Sequence, residues 1–223
     1  MKSYKDLGKI AGLLFLVNLI PYVIAQMVIL DGLFYVPNYL EVLSSNRTRI
    51  GIAVLLQFIS ITAMIAFAVH MFSILREFGN KLSLGYLGLR FVEFGIIVFS
   101  ITKQLSLFEY SQLVKNIKFE ELPLSQLLAD SMLQELEWIG IIYMLVFVIH
   151  CVIFYYLLFK SNLVPKIISI GGLIATLLAF TNIINHLFNL NFGGFFLFAP
   201  IGIVELILAF WILLKGFKKI SAE

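Results

Sequence analysis

Residues 138–159 read WIGIIYMLVFVIHCVIFYYLLF, a stretch without one Asp, Glu, Lys or Arg. A helix of this length rises about 33 Å, enough to cross the roughly 30 Å hydrocarbon core of a bilayer. The run is continuous rather than alternating, which argues against a barrel strand. Five further runs are long and mostly apolar: 9–30, 50–75, 84–105, 165–188 and 196–214. Over the 223 residues, 61% are hydrophobic and 13% charged, and mean hydropathy is +1.01, more apolar surface than a soluble domain of this size can hide. So little polarity excludes intrinsic disorder, and the single Cys151 excludes an internal disulfide framework or a zinc ribbon. The expected fold is all-α: one polytopic domain over 1–223, with six transmembrane helices in one bundle.

The first run has a basic start, Lys2, Lys5 and Lys9, but it is longer than a signal-peptide core of about 7–15 residues. It reads as a retained helix, kinked near Pro21. Basic residues set the orientation. Lys2, Lys5, Lys9, Arg76, Lys81, Lys160, Lys166, Lys215, Lys218 and Lys219 fall on one side; Arg47, Arg49, Lys103, Lys115 and Lys118 fall on the other. Both termini are therefore expected in the cytoplasm, in a multi-pass protein of the cytoplasmic membrane whose constant partners are lipids. The net charge of +3 is a topology signal, and without a basic patch interleaved with aromatics no nucleic-acid partner is expected.

Two outer connections have patterns of their own. A short interfacial helix is expected around 38–43. In the long loop 106–137, Leu107, Leu113, Ile117 and Phe119 alternate with charges, which predicts a helix lying on the membrane surface. Beyond Pro123, Ser125 would cap a second helix whose stripe of Leu128, Met132 and Leu136 leads into the fourth span. The last outer loop carries Asn189, Asn191, Gly193 and Gly194.

Polar residues inside spans are costly and therefore informative. Glu93, His150 and Glu205 fall near the midplane of the third, fourth and sixth spans, and Arg90 lies one turn from Glu93. Helical spacing groups them with neighbours. Tyr86, Arg90, Glu93 and Ser100 share one stripe, as do Gly140, Tyr143 and His150. Gly171, Ala175, Asn182 and Asn185 share another, as do Gly202, Glu205 and Ala209, and Ala53, Gln57 and Ser60. Small residues beside polar ones mark helix–helix faces, so a polar seam is expected inside the bundle. Left unpaired, Arg90, Glu93 and Glu205 would cost roughly 8–10 kcal/mol on insertion scales, comparable with a domain's whole stability. Arg90 and Glu93 make a natural i, i+3 pair, which leaves Glu205 to His150 or to a proton.

The chain resembles a bacterial family of small six-helix membrane proteins, the domain-of-unknown-function family 4386. The likeness is carried by Lys9-Ile10-Ala11-Gly12-Leu13-Leu14, by Leu89-Arg90-Phe91-Val92-Glu93 and by Ile149-His150-Cys151. It continues through Leu157-Leu158-Phe159-Lys160-Ser161, Pro165-Lys166-Ile167, Asn185, Gly202, Glu205 and Trp211-Ile212-Leu213-Leu214-Lys215-Gly216. Arg90, Glu93, His150 and Glu205 fall on the family's recurring polar positions; Val148-Ile149 replaces the Gly-Leu usual before the histidine. The resemblance implies the fold and a membrane location, and no activity or cofactor.

Three functional readings follow. In the first, Arg90, Glu93, His150, Glu205, Tyr143, Asn182 and Asn185 line a seam that binds or transports a small or lipidic ligand, or a proton. In the second, Glu93, His150 and Glu205 hold a metal in an intramembrane enzyme acting on a lipid-like substrate; nitrogen and oxygen donors suit zinc or iron, but the ligands come from separate helices with no HExxH-like spacing. In the third, the polar residues form a structural network in an accessory protein. No G-x-S-x-G elbow is present. Cys151, about 100° around the helix from His150, reads as a packing residue. Trp138 and Trp211 read as interface anchors.

Overall fold

A computed structural model describes residues 4–115, 122–190, 192 and 194–218. Among them the order is α1 (Tyr4–Val23), a π-helical stretch (Ile24–Leu30), α2 (Asp31–Phe34), α3 (Tyr39–Ser45), α4 (Arg47–Val114), α5 (Leu122–Ser161), α6 (Lys166–Leu187) and α7 (Phe195–Lys215), with no strand. Five helical stretches are long and apolar enough to cross a membrane, the build of a multi-pass membrane protein.

The 68 residues of α4 would extend about 100 Å if straight. They do not run straight. Gly79 leaves the helical region (φ 175°, ψ 83°) and the chain reverses there. Gln57 Nε2 then donates to Gln104 Oε1 at 2.9 Å, and Ile61 and Met64 pack on Ile97 and Ile101. The limbs 47–78 and 80–114 are therefore antiparallel. The expected spans 50–75 and 84–105 are both helical, and no loop separates them.

Other contacts repeat the alternation. Asn18 meets Ser60 and Leu7 meets His70, so α1 runs against the first limb. Lys103 meets Glu135 and Tyr86 stacks on Phe154, so α5 runs against the second. Gly172 of α6 meets the Tyr155 ring of α5. At the far end of the chain, Gly8 and Gly12 of α1 lie against the backbone of Phe217 and Leu213, where any Cβ would collide. Small residues four apart permit this approach of two helix backbones. Packing thus passes from α1 to α4, α5, α6 and α7 and back to α1, a closed ring of six helical legs.

Local signals set the leg ends. Asn162, in the left-handed region (φ 54°), follows the end of α5, and Pro165 (φ −55°) precedes α6. Gly216 (φ 71°) closes α7, its N–H returning to Ile212 O. The discontinuity expected near Pro21 takes the form of a change to π-helix three residues later, at Ile24. Such wide turns are rare and gather at functional sites.

The outer connections differ from expectation in detail. The short helix expected near 38–43 is α3. Residues 106–114 continue α4, with Leu107, Phe108, Ser111 and Val114 buried and Leu113 exposed. Residues 122–137 continue without a break into the fourth leg, so Ser125 is inside a helix and not its cap. The inward stripe there is Ser125, Ala129, Met132, Leu133 and Leu136, one position away from the exposed Leu128. Ile117 and Phe119 of the expected surface helix, and Asn191 and Gly193 of the last loop, lie outside the described residues.

Two large apolar clusters occupy opposite ends of the ring. One contains Phe15, Phe67, Tyr86 and Phe154. The other contains Leu33, Tyr39, Leu43, Leu107 and Ala129. Polar residues and cavities lie between them.

Candidate functional site: a buried ion network beside two joined cavities

Arg90 and Glu93 stand one turn apart on the second limb of α4, facing α5 and its His150. All three are buried, at 3%, 0% and 1% exposure. Arg90 NH1 donates to Glu93 Oε2 at 2.8 Å, and Arg90 Nε reaches Tyr86 OH at 3.5 Å. The guanidinium also sits 5.7 Å from the centre of the Tyr86 ring. Glu93 Oε1 lies 2.6 Å from His150 Nδ1; the pair is close but poorly aligned, and neither atom has another partner. His150 Nε2 in turn lies 3.5 Å from Cys151 Sγ. One carboxylate therefore serves two cations or donors, which answers the cost of burying Arg90.

One expectation changes here. His150 pairs with Glu93, not with Glu205, because Glu93 and His150 face each other across the α4–α5 contact. Cys151 packs in the apolar cluster of Phe15 and Phe154, as expected, and its thiol also lies near the ring of its neighbour. It lines neither of the two cavities described below.

The first, inner cavity measures about 370 Å³ and lies between α1, the π-helical stretch, both limbs of α4, α5 and α7. Its polar wall is made by Asn18, Tyr22, Gln26, Ser60, Arg90, Tyr143 and Glu205. Glu205 is 9% exposed, lines this space and makes no hydrogen bond or ion pair with any described residue. The second, outer cavity measures about 610 Å³ and reaches Asp31, Glu137 and His186. Along it, Gln26 Nε2 donates to Gln57 Oε1 (3.1 Å), Gln57 Nε2 to Gln104 Oε1 (2.9 Å), and Gln104 Nε2 to Ser100 Oγ (3.2 Å). Asn182 Oδ1 is buried there without a partner. Tyr22, Gln26, Gly140 and Tyr143 line both cavities, so the two adjoin. The Tyr22 and Tyr143 rings are 6.3 Å apart at the junction.

Of the residues expected in the seam, Arg90, Tyr143 and Glu205 line the inner cavity, and Tyr143 and Asn182 the outer one. Glu93 and His150 stand behind Arg90. Asn185 is elsewhere: its amide brackets Phe192, donating to the carbonyl (2.6 Å) and accepting from the N–H (3.2 Å). Glu93, His150 and Glu205 do not converge as a ligand set, and no group of three His, Cys, Asp or Glu suited to a metal occurs among the described residues. Sequence reasoning missed Asn18, Tyr22 and Gln26. Their spacing of four along the first span was the available signal.

A family model described as a domain of unknown function, DUF4386, matches residues 10–216. The chain belongs to the DUF4386 family. The match runs from Ile10, within α1, through Gly216, so it takes in both cavities and the ion network of this DUF4386 protein. No curated protein and no solved structure matches the chain.

Proposed function

We propose that this DUF4386 protein binds a small ligand within the membrane, in the inner cavity, and exchanges it through the outer one. The observation that carries this reading is Glu205: a carboxyl group, nine-tenths buried, lining a cavity of ligand size and without a hydrogen-bond or ion-pair partner among the described residues. Intramembrane ionisable groups are expensive, and a ligand or proton is what such a group is kept for. In this reading residues 1–223 act as one domain that crosses the cytoplasmic membrane of a bacterium six times, both ends inside. The reversal at Gly79 and the lysine and arginine bias support that topology. The segments 106–114 and 122–137 then form a cap at the outer face, in the place of a helix lying flat on the membrane.

The test is accessibility. Gly202 lines the inner cavity, and a Cβ there meets no atom within 4 Å. Gly202→Cys is expected to react with a small water-soluble thiol reagent added from outside, while a lipid-facing control, Val69→Cys, does not. Lack of reaction at Gly202→Cys in folded protein would sink the reading.

A purely structural seam has one observation in its favour: Arg90, Glu93 and His150 engage one another and need no ligand. It leaves Glu205 without an account.

A further inference from the structure

We propose that the ligand is an organic cation with an apolar body, its charged head seated on Glu205. This deepens the reading of the inner cavity and rests on it. The sign comes from every charged group that lines the two cavities. Asp31 and Glu137 lie along the outer one, together with His186, and Glu205 in the inner one. Among the described residues, the only guanidinium or ammonium group on either wall is that of Arg90, already held by Glu93 at 2.8 Å. The charge of Arg90 is already answered by Glu93, so an incoming anion gains less there than an incoming cation gains at Glu205, a carboxyl to which no described residue bonds.

The body of the ligand follows from the rest of the inner wall. Tyr22, Tyr143, Phe147 and Phe198 contribute aromatic rings, groups to which ammonium heads are drawn. Met64 and Met144 supply adaptable apolar contact. A hard metal cation asks for six or more oxygen ligands. Here Ser60 bonds to Asn18 and Gln26 to Gln57, leaving Glu205 in a mainly apolar wall. Val23 and Met27, also on this wall, are exposed, which puts an edge of the cavity at α1 and the π-helical stretch, helices apolar enough to border lipid. A molecule that partitions into a bilayer can reach it.

The experiment uses three shape-matched probes on the full chain in nanodiscs: benzyltrimethylammonium, neutral neopentylbenzene and anionic phenylmethanesulfonate. Binding is read by equilibrium dialysis against empty nanodiscs. The cation is expected to bind once per chain, at least about ten-fold more tightly than the neutral probe, the scale of one charge-assisted contact. Glu205→Gln should remove that preference and leave the neutral probe unchanged. Gly202→Leu, which fills the cavity and improves helix propensity, should abolish binding of all three. If Glu205→Gln does not fold, the wild-type ranking and Gly202→Leu decide. Preference for the anion, or cation binding unchanged in Glu205→Gln, overturns the proposal. If no probe binds yet Gly202→Cys is labelled, the cation reading falls and the cavity reading stands. If labelling fails too, both fall.

Discussion

Glu93 is the residue on which the buried charges depend. It holds Arg90 on one oxygen and His150 on the other, with no exposure to solvent. Removing one partner of a buried ion pair costs about 3–5 kcal/mol, because the other charge is stranded. Glu93→Gln is therefore expected to lower the melting temperature and folding yield sharply. Lys103–Glu135 has the same 2.8 Å separation, but its side chains are 33% and 52% exposed. Such pairs are worth roughly 0–1 kcal/mol, so Lys103→Ala should leave the melting temperature nearly unchanged. The same thermal assay reads both. Tyr39, outside the spans, donates to Asp130 at 2.8 Å. Burial first, and this hydrogen bond second, hold its phenol above the usual value. A raised native value contributes stability that is fully present below about pH 10, the unfolded value, and is lost as pH climbs toward the native one. Tyr39→Phe should melt lower at neutral pH, and the gap should narrow in alkali.

Among the elements, the contact of α1 with α7 closes the ring. Gly12 sits where a side chain would run into Leu213 and Gly8 where one would run into Phe217. Gly12→Leu is expected to push the two helices apart and destabilise the chain, even though Leu is the better helix former by about 1 kcal/mol. A melting temperature at or above that of the unmodified chain would contradict this account of the closure. The π-helical stretch is the element with the clearest bearing on the site. It carries Gln26, which lines both cavities and begins the glutamine ladder across to Gln57 and Gln104.

For the whole molecule, the proposed ligand reading predicts a route. The cavities meet at Gly140, Tyr22 and Tyr143, and Gly140 has open space where a side chain would stand. Gly140→Leu is expected to slow labelling of Gly202→Cys from outside by about ten-fold or more, the effect of narrowing the junction beside Tyr22 and Tyr143. Equal labelling rates would mean that the reagent arrives from the lipid side past Met27.

The sequence by itself determined the apolar legs, because a bilayer admits backbone only as continuous helix and each leg carries its own hydrogen bonds. The runs 138–159 and 196–214 are helical throughout in the structure, and 165–188 is helical from Lys166 to Leu187. Helical spacing also announced that Arg90 and Glu93 would pair, since one turn separates them. Partnership across helices was not legible. That His150 turns to Glu93 and leaves Glu205 alone depends on which faces α4, α5 and α7 present to one another. Nor could spacing tell that Asn185 brackets Phe192 while Asn182, three residues away on the same stripe, lines a cavity. The long outer segment misled for a related reason: its mixed apolar and charged pattern suits a helix lying on a membrane equally well as two helix ends packed side by side. Such relations are fixed by rotation and crossing of neighbouring helices, which only the packed ring decides.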